Sequence, residues 1–320
     1  MQEQMFVGVD VAKATLCCCI HGRPGFKVVS NAPAEVATWL DTVPQAASIA
    51  VESTGRYHQE IVRQAHASGR LVYVLNAADV YHYAKYQGMR GKTDPLDANL
   101  IASYLAEHHA KLRPWRPATV RQDRVRELLR CRAAVAIKRS SLRMVLKGVG
   151  GLDGVTRSLE ERFAAMLEEI ETQIRFELEQ DQELATVSAR LSTITGVGPQ
   201  ASAMFTELFS RVPFANADAA VAYTGLDPRP NDSGNRKGRR RLTKRGNPQL
   251  RRQLYLCAFA ASHSKALGPL YRAIKDRGFK TTEALVILAR KILRIIWAVW
   301  KSGTPFDSSR FSQGNPCAQT

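Results

Sequence analysis

Residues 5–20 read MFVGVDVAKATLCCCI. Two β-rich runs, 5–11 and 15–20, stand either side of a turn at Lys13. Lys27 to Ser30 predicts a third strand and completes a meander. Ser48 to Val51 predicts a buried strand, and Leu71 to Leu75 (LVYVL) a fifth. Between these last two, Tyr57 to Ala67 has helical spacing and stops before Gly69, a residue suited to the position just past a helix C-terminus. Three early strands followed by strand–helix–strand predict an α/β fold, a mixed sheet with helices packed on it.

From Asp94 the pattern changes. Leu96, Leu100, Ile101, Tyr104 and Leu105 recur at three and four, with Pro95 suited to the first turn of a helix. Two prolines in RPWRPA (113–118) break that helix and predict a boundary. Thr119 to Lys147 and Leu159 to Leu191 read as long charged helices joined by GVGGLDG (148–154), a helical hairpin or coiled coil. Gln200 to Phe209 is expected to be helical, as is the region from Gln249 to Trp300, with a frayed tail beyond Gly303. The expected organisation is an α/β domain over 1–118, the hairpin over 119–191, a mostly helical domain over 192–304 and a tail over 305–320.

The chain has 320 residues with 46 Lys and Arg against 29 Asp and Glu, a net charge of +17. Residues 1–118 hold 12 basic and 10 acidic side chains, and residues 119–320 hold 34 and 19. An excess confined to one half suits a polyanion-binding surface. Six cysteines, three of them adjacent at 17–19 and none in a C-x-x-C, exclude a disulfide scaffold and a zinc ribbon. Cys17, Cys18 and Cys19 are read as small hydrophobes alternating across a strand. The N-terminus lacks the pattern of a secretory signal. The apolar stretch Ala284 to Trp300 is interrupted by Arg290, Lys291 and Arg294, which disqualifies it as a membrane span. A cytoplasmic, nucleoid-associated protein is expected. Trp115, Trp297 and Trp300 are expected in cores or interfaces, and His108 and His109 at the surface of a helix end.

Four carboxylates form the candidate chemistry. Asp10 ends the first strand and Glu52 ends another central strand. Carboxylates at neighbouring strand ends project into one crevice. Asp94 and Asp97 are three apart at a helix start and share a face. They also suit a plain N-cap and first-turn acid. Four converging carboxylates repel one another, and a hard divalent cation removes that cost. Oxygen-only ligands fit Mg²⁺ or Mn²⁺ rather than zinc.

In that order and at that spacing, GVDVAK (8–13), VESTG (51–55) and KTDPLDA (92–98) resemble the DEDD set of insertion-sequence-110 family transposases and their invertase relatives. In that family the set belongs to a RuvC-like domain of RNase H fold. The resemblance continues through AYTGLDPR (222–229), DSGNRKG (232–238) and TKRGNPQLRRQLY (243–255), which are similar to the family's C-terminal transposase domain. It implies Asp10, Glu52, Asp94 and Asp97 as metal ligands and Ser233 as a nucleophile that forms a phosphoserine link to DNA. Without the resemblance, a serine beside Gly234 and Asn235 is a turn residue. Its setting raises it: Arg229, Arg236, Lys237, Arg239, Arg240, Arg241, Lys244 and Arg245 surround it and suit a scissile phosphate. Gly196 and Gly198 precede a helix and resemble a helix–hairpin–helix turn, whose backbone N–H groups bind phosphate; a plain interhelical turn fits as well.

The resemblance also implies partners: double-stranded donor and target DNA and a noncoding bridge RNA that delegates sequence choice to base pairing. The long hairpin suggests dimerisation, and strand exchange between two duplexes requires several active sites, so a homodimer assembling to a tetramer on DNA is expected. The alternatives are a site-specific invertase without a guide RNA, a metal-only nuclease or junction resolvase, and a non-catalytic nucleic-acid-binding protein.

Overall fold

A computed structural model describes residues 4–309, apart from 54–56, 90, 92, 230–231, 234–235 and 238–239. It divides into two compact units, Met1–Pro117 and Ala118–Thr320.

The first unit is an α/β layer. Strands β1 (Phe6–Val11), β2 (Thr15–Ile20) and β3 (Lys27–Ser30) form the antiparallel meander. After helix α1 (Pro33–Asp41) comes β4 (Ser48–Glu52), then α2 (Gln59–Ala67) and β5 (Leu71–Leu75). The sheet order is β3-β2-β1-β4-β5, with β1, β4 and β5 parallel. All five expected strands are present, and the mixed sheet with its flanking helices is an RNase H-like, RuvC-like arrangement. Helices α3 (Ala77–Tyr86) and α4 (Asp94–His108) complete the unit.

The alternation of the strands decides which helix lies on which face. Val7, Val9 and Val11 of β1 and Ile49 and Val51 of β4 share a core with Val36 and Trp39 of α1 and Ile61 and Ala65 of α2. The opposite face carries Ala50, Tyr73 and Leu75 against Val80 and Tyr83 of α3 and Leu100, Ile101 and Leu105 of α4. The cysteines alternate as expected: Cys18 joins the first core, and Cys17 and Cys19 pack with Ala98 of α4. Trp115 packs on the first core and meets His66 edge-on at 5.4 Å.

Gly8 lets α4 reach the sheet. A Cβ there would stand 2.1 Å from the Ala98 carbonyl oxygen and 2.3 Å from the Ala102 nitrogen. Both are helix backbone, so the helix itself must move. Gly8→Ala is therefore expected to destabilise the first unit by about 3 kcal/mol or more, the upper end for overpacking. The urea midpoint of that unit should fall, and an unchanged midpoint would show that α4 yields at no cost.

The second unit is helical: α5 (Val120–Leu146), α6 (Asp153–Glu179), α7 (Gln182–Ser192), α8 (Pro199–Arg211), α9 (Ala217–Thr224), α10 (Pro248–Ser262), α11 (Gly268–Asp276) and α12 (Thr281–Ser302). Four two-residue strands, β6 (Pro228–Arg229), β7 (Asp232–Ser233), β8 (Arg236–Lys237) and β9 (Arg241–Leu242), interrupt it between α9 and α10. The expected helix over Leu159 to Leu191 is instead two. Asp181 caps α7, its side chain accepting from the N–H groups of Glu183 and Leu184 at 3.1 and 3.2 Å, and this local bond starts a new helix. Likewise the region from Gln249 to Trp300 divides into α10, α11 and α12.

Helices α5 and α6 pair as the hairpin. Its base is continuous with the helical core, because Val125, Leu129, Ile170 and Ile174 cluster with Phe205 of α8 and Leu288 of α12. Glu207, buried in α8, ties the elements together. It accepts from Arg211 at 2.9 Å and lies 3.5 Å from Arg126 of α5. Trp297 and Trp300 pack on this core, Trp300 tilting against Phe209 at 5.4 Å. Just beyond Gly303 the chain continues this packing rather than fraying at once, and residues 310–320 of the expected tail lie outside the described residues. Phe306 lies on the same core and its N–H donates to Thr193 Oγ1 at 2.9 Å. Among the described residues, no helix is long and apolar enough to cross a membrane.

Candidate active site

Asp10 and Glu52 lie one residue beyond the paired positions Val9 and Val51 of two adjacent parallel strands. By alternation both follow Gly8 and Ala50 onto the sheet face covered by α4. Helix α4 begins at this same end of the strands. Thr93, extended at φ −145°, occupies the N-cap position, so Asp94 is the first helical residue rather than the cap. Asp94 is exposed, while Asp10, Glu52 and Asp97 are half-buried. The N-terminal end of the helix favours both of its acids electrostatically.

Below the carboxylates lie two thiols, which strand alternation alone marks only as small hydrophobes. Cys17 sits opposite Asp10 in the β1–β2 ladder. The Cys19 Sγ lies 3.5 Å from the Pro95 carbonyl oxygen in the first turn of α4. Burial first, then the neighbouring Cys19, Asp10 and Asp94, push the Cys17 thiol up to about 11. It remains neutral at physiological pH and adds no negative charge to a face already rich in it.

Among the described residues, no three His, Cys, Asp or Glu side chains converge closely enough to hold one metal ion. The donor set nonetheless fits a hard cation in kind. The four carboxylates offer only oxygens, the donor type that hard divalent cations take, and they sit at strand ends and on a helix first turn.

The serine loop is held at its base. Gly225 ends α9 at φ +70°, and a Cβ there would meet Arg245 N at 2.7 Å. A Cβ on Gly246 would lie 2.2 Å from the Tyr223 carbonyl oxygen. Between these close approaches the two chain segments are stitched together. Thr243 N donates to Asp227 O and Lys244 N to Gly225 O, each at 3.0 Å, and the Thr243 hydroxyl donates to the Asp227 carboxylate. Arg251 of α10 adds bonds to the carbonyls of Thr224 and Gly246 at 3.1 and 2.6 Å. Lys244 adopts φ +54°, unusual for a residue with a side chain, and turns the returning strand.

Above this base Arg229 pairs with Arg241, and Ser233 pairs with Arg236 in a small hairpin. Arg229, Arg240, Arg241, Lys244 and Arg245 are exposed. For Ser233, Arg236 and Lys237 the backbone alone is described, and Arg239 lies outside the described residues.

Gly196 has a packing reason of its own. At φ +89° it lies against α10, where a Cβ would meet Cys257 O at 2.6 Å. Gly198, the N-cap of α8, faces open space.

Two family models match this chain. The DEDD transposase of IS110 elements covers residues 7–149, and "Transposase IS116/IS110/IS902 family" covers residues 188–272. The chain belongs to this transposase family. It is thus an enzyme of DNA cleavage and rejoining, and its DEDD domain marks a divalent-metal-dependent nuclease centre. Over 95% of its length the transposase is 24% identical to the pilin gene-inverting protein of Moraxella bovis, matching 98% of that protein. It is 31% identical to the 43.6 kDa protein of insertion element IS110 from Streptomyces coelicolor, over 52% of this chain and 41% of that one. To the transposase of IS1328 from Yersinia enterocolitica it is 31% identical, over 44% and 42%.

Proposed function

We propose that this transposase excises and inserts a mobile element between specific DNA sites, with Asp10, Glu52, Asp94 and Asp97 holding Mg²⁺ or Mn²⁺ and Ser233 attacking the scissile phosphodiester. The observation that carries the reading is the alignment of Asp10 and Glu52 on adjacent parallel strand ends, on the face where α4 begins with Asp94. When bound, the cation supplies Lewis-acid stabilisation of charge on the phosphate oxygens. The serine hydroxyl gives up its proton as the Oγ–P bond forms, and the departing deoxyribose oxygen takes a proton as its bond to phosphorus breaks. The phosphoserine conserves the bond energy needed for rejoining. The basic residues of the loop, Arg229, Arg236, Lys237, Arg239, Arg240, Arg241, Lys244 and Arg245, hold the backbone around it. Gly196 and Gly198 contribute a turn at the head of α8, where backbone N–H groups meet a phosphate.

A bridge RNA supplies sequence choice on this reading. The enzyme works in the cytoplasm on the nucleoid, as a dimer that doubles on DNA so that two duplexes can exchange strands. Co-purification from cells followed by sequencing of bound RNA tests the guide: one discrete structured species is expected. A preparation that is active and free of RNA favours the second reading, a site-specific invertase, which the full-length similarity to the pilin gene-inverting protein supports. Metal dependence is tested on a supercoiled plasmid carrying both element ends. Chelation by EDTA should abolish recombination, and Mg²⁺ or Mn²⁺ should restore it. Full activity in EDTA would sink the carboxylate site.

A further inference from the structure

The second unit contains a cleft of about 370 Å³ lined by residues of α5, α6, α8 and α10. Along α5, Arg132, Ala136, Arg139, Ser140 and Arg143 recur at offsets of four, seven, eight and eleven, which places them on one helix face. Arg252 of α10 enters from the facing wall. Four guanidinium groups therefore line one cleft, and among the described residues no carboxylate lines it.

The arginines divide into two kinds. Arg132 is held by Glu171 of α6 through Nε at 2.7 Å and Nη2 at 2.5 Å. Arg139 is held by Glu160 in the same way, both bonds at 2.9 Å. These pairs orient two guanidinium planes and offset most of their charge. Arg143 and Arg252 are exposed, and among the described residues neither is ion-paired. Gln200, Gln249 and Gln253 add amide donors, and buried Ala133, Leu167 and Met204 form an apolar floor. Guanidinium donors beside neutral amides match phosphate oxygens, which accept several bonds at once.

We infer that this cleft is a second nucleic-acid contact, in which Arg143 and Arg252 each take one phosphodiester of a backbone while the paired Arg132 and Arg139 shape the wall. The inference rests on the recombinase reading for its ligand, since DNA and RNA both present phosphodiesters. It adds residues outside the serine loop, so one strand can be gripped where no bond is broken.

The test compares wild type with the Arg143→Ala, Arg252→Ala double variant in fluorescence binding titrations at several salt concentrations. One probe is an element-end DNA duplex and the other a single-stranded RNA. Each phosphate contact contributes roughly 0.9 to the log–log salt slope on duplex and roughly 0.7 on a single strand. Loss of two contacts should lower the slope by roughly 1.8 or 1.4, and only for the nucleic acid that occupies the cleft. The double lysine variant should keep the slope, because a point charge still neutralises a phosphate. A slope change on duplex alone assigns the cleft to DNA, and on RNA alone to RNA. Unchanged slopes on both overturn the cleft while leaving the recombinase reading standing. A wild-type protein that binds neither probe overturns both.

Discussion

Asp10→Ala and Glu52→Ala are each expected to lower DNA strand cleavage on the order of a thousandfold or more, about 4 kcal/mol of lost transition-state stabilisation. The loss should come without unfolding. Asp10 and Glu52 stand half-buried near the ends of adjacent strands on one face, so deleting either eases repulsion between like charges and opens no cavity in the apolar core. The melting temperature should therefore hold or rise slightly while cleavage of a supercoiled substrate in Mg²⁺ disappears. Asp97→Ala should behave similarly. Asp94→Ala should be milder, because Asp94 is exposed on the first turn and Thr93 occupies the cap. Wild-type cleavage by Asp10→Ala or Glu52→Ala would remove the carboxylates from the mechanism.

A covalent protein–DNA adduct is the second large expected effect. If Ser233 attacks the backbone, a reaction stopped early on a nicked suicide substrate should trap protein on DNA through an SDS-resistant bond. Ser233→Ala should lose the adduct entirely while still binding DNA and metal. Ser233→Cys should retain at most slight activity, since the longer bonds of sulfur misplace in-line attack. Water attack predicts the opposite pattern: free 5′-phosphate and 3′-hydroxyl ends, no adduct, and a Ser233→Ala protein that still cuts. That pattern would reduce Ser233 to a hairpin residue beside Arg236.

The sheet was legible because its strands are short apolar runs bounded by Lys13, Gly69 and polar turns, and a buried strand leaves that trace whatever packs on it. Helices α1 and α3 are harder to read, although their signals are present. Val36, Trp39 and Leu40 repeat at three and four behind Pro33, and Asn76 caps α3 with its side chain on Ala78 N at 2.9 Å. Nine- and ten-residue helices give too few repeats to stand out between strands. The break before α7 was hidden for another reason. Asp181 in a charged helical run looks like any surface acid, and only its bonds to Glu183 and Leu184 mark it as a cap.

At the site, the order Asp10, Glu52, Asp94, Asp97 was readable, because each sits at an element end that the sequence announces. Which face of the sheet α4 covers has no such signal. It follows from Gly8, whose missing side chain allows α4 to cross β1, and pairwise proximity across eighty residues leaves no local mark. The arginine row of α5 could have been found from the spacing of 132, 139 and 143. Its facing wall on α10 required the fold.

The clamp beneath the serine loop makes the segment above it exchangeable. Eleven residues separate Arg229 from Arg241, and those two are neighbours across an antiparallel ladder. Any insert whose ends meet at that spacing can be seated on the same base without repacking a helix. Even doubling its length adds only about 0.6 kcal/mol of closure entropy. The helical unit thus acts as a socket and the hairpin as a cartridge. Hairpins transplanted between relatives at these two arginines should seat without loss of stability, provided Gly225 and Gly246 stay as they are.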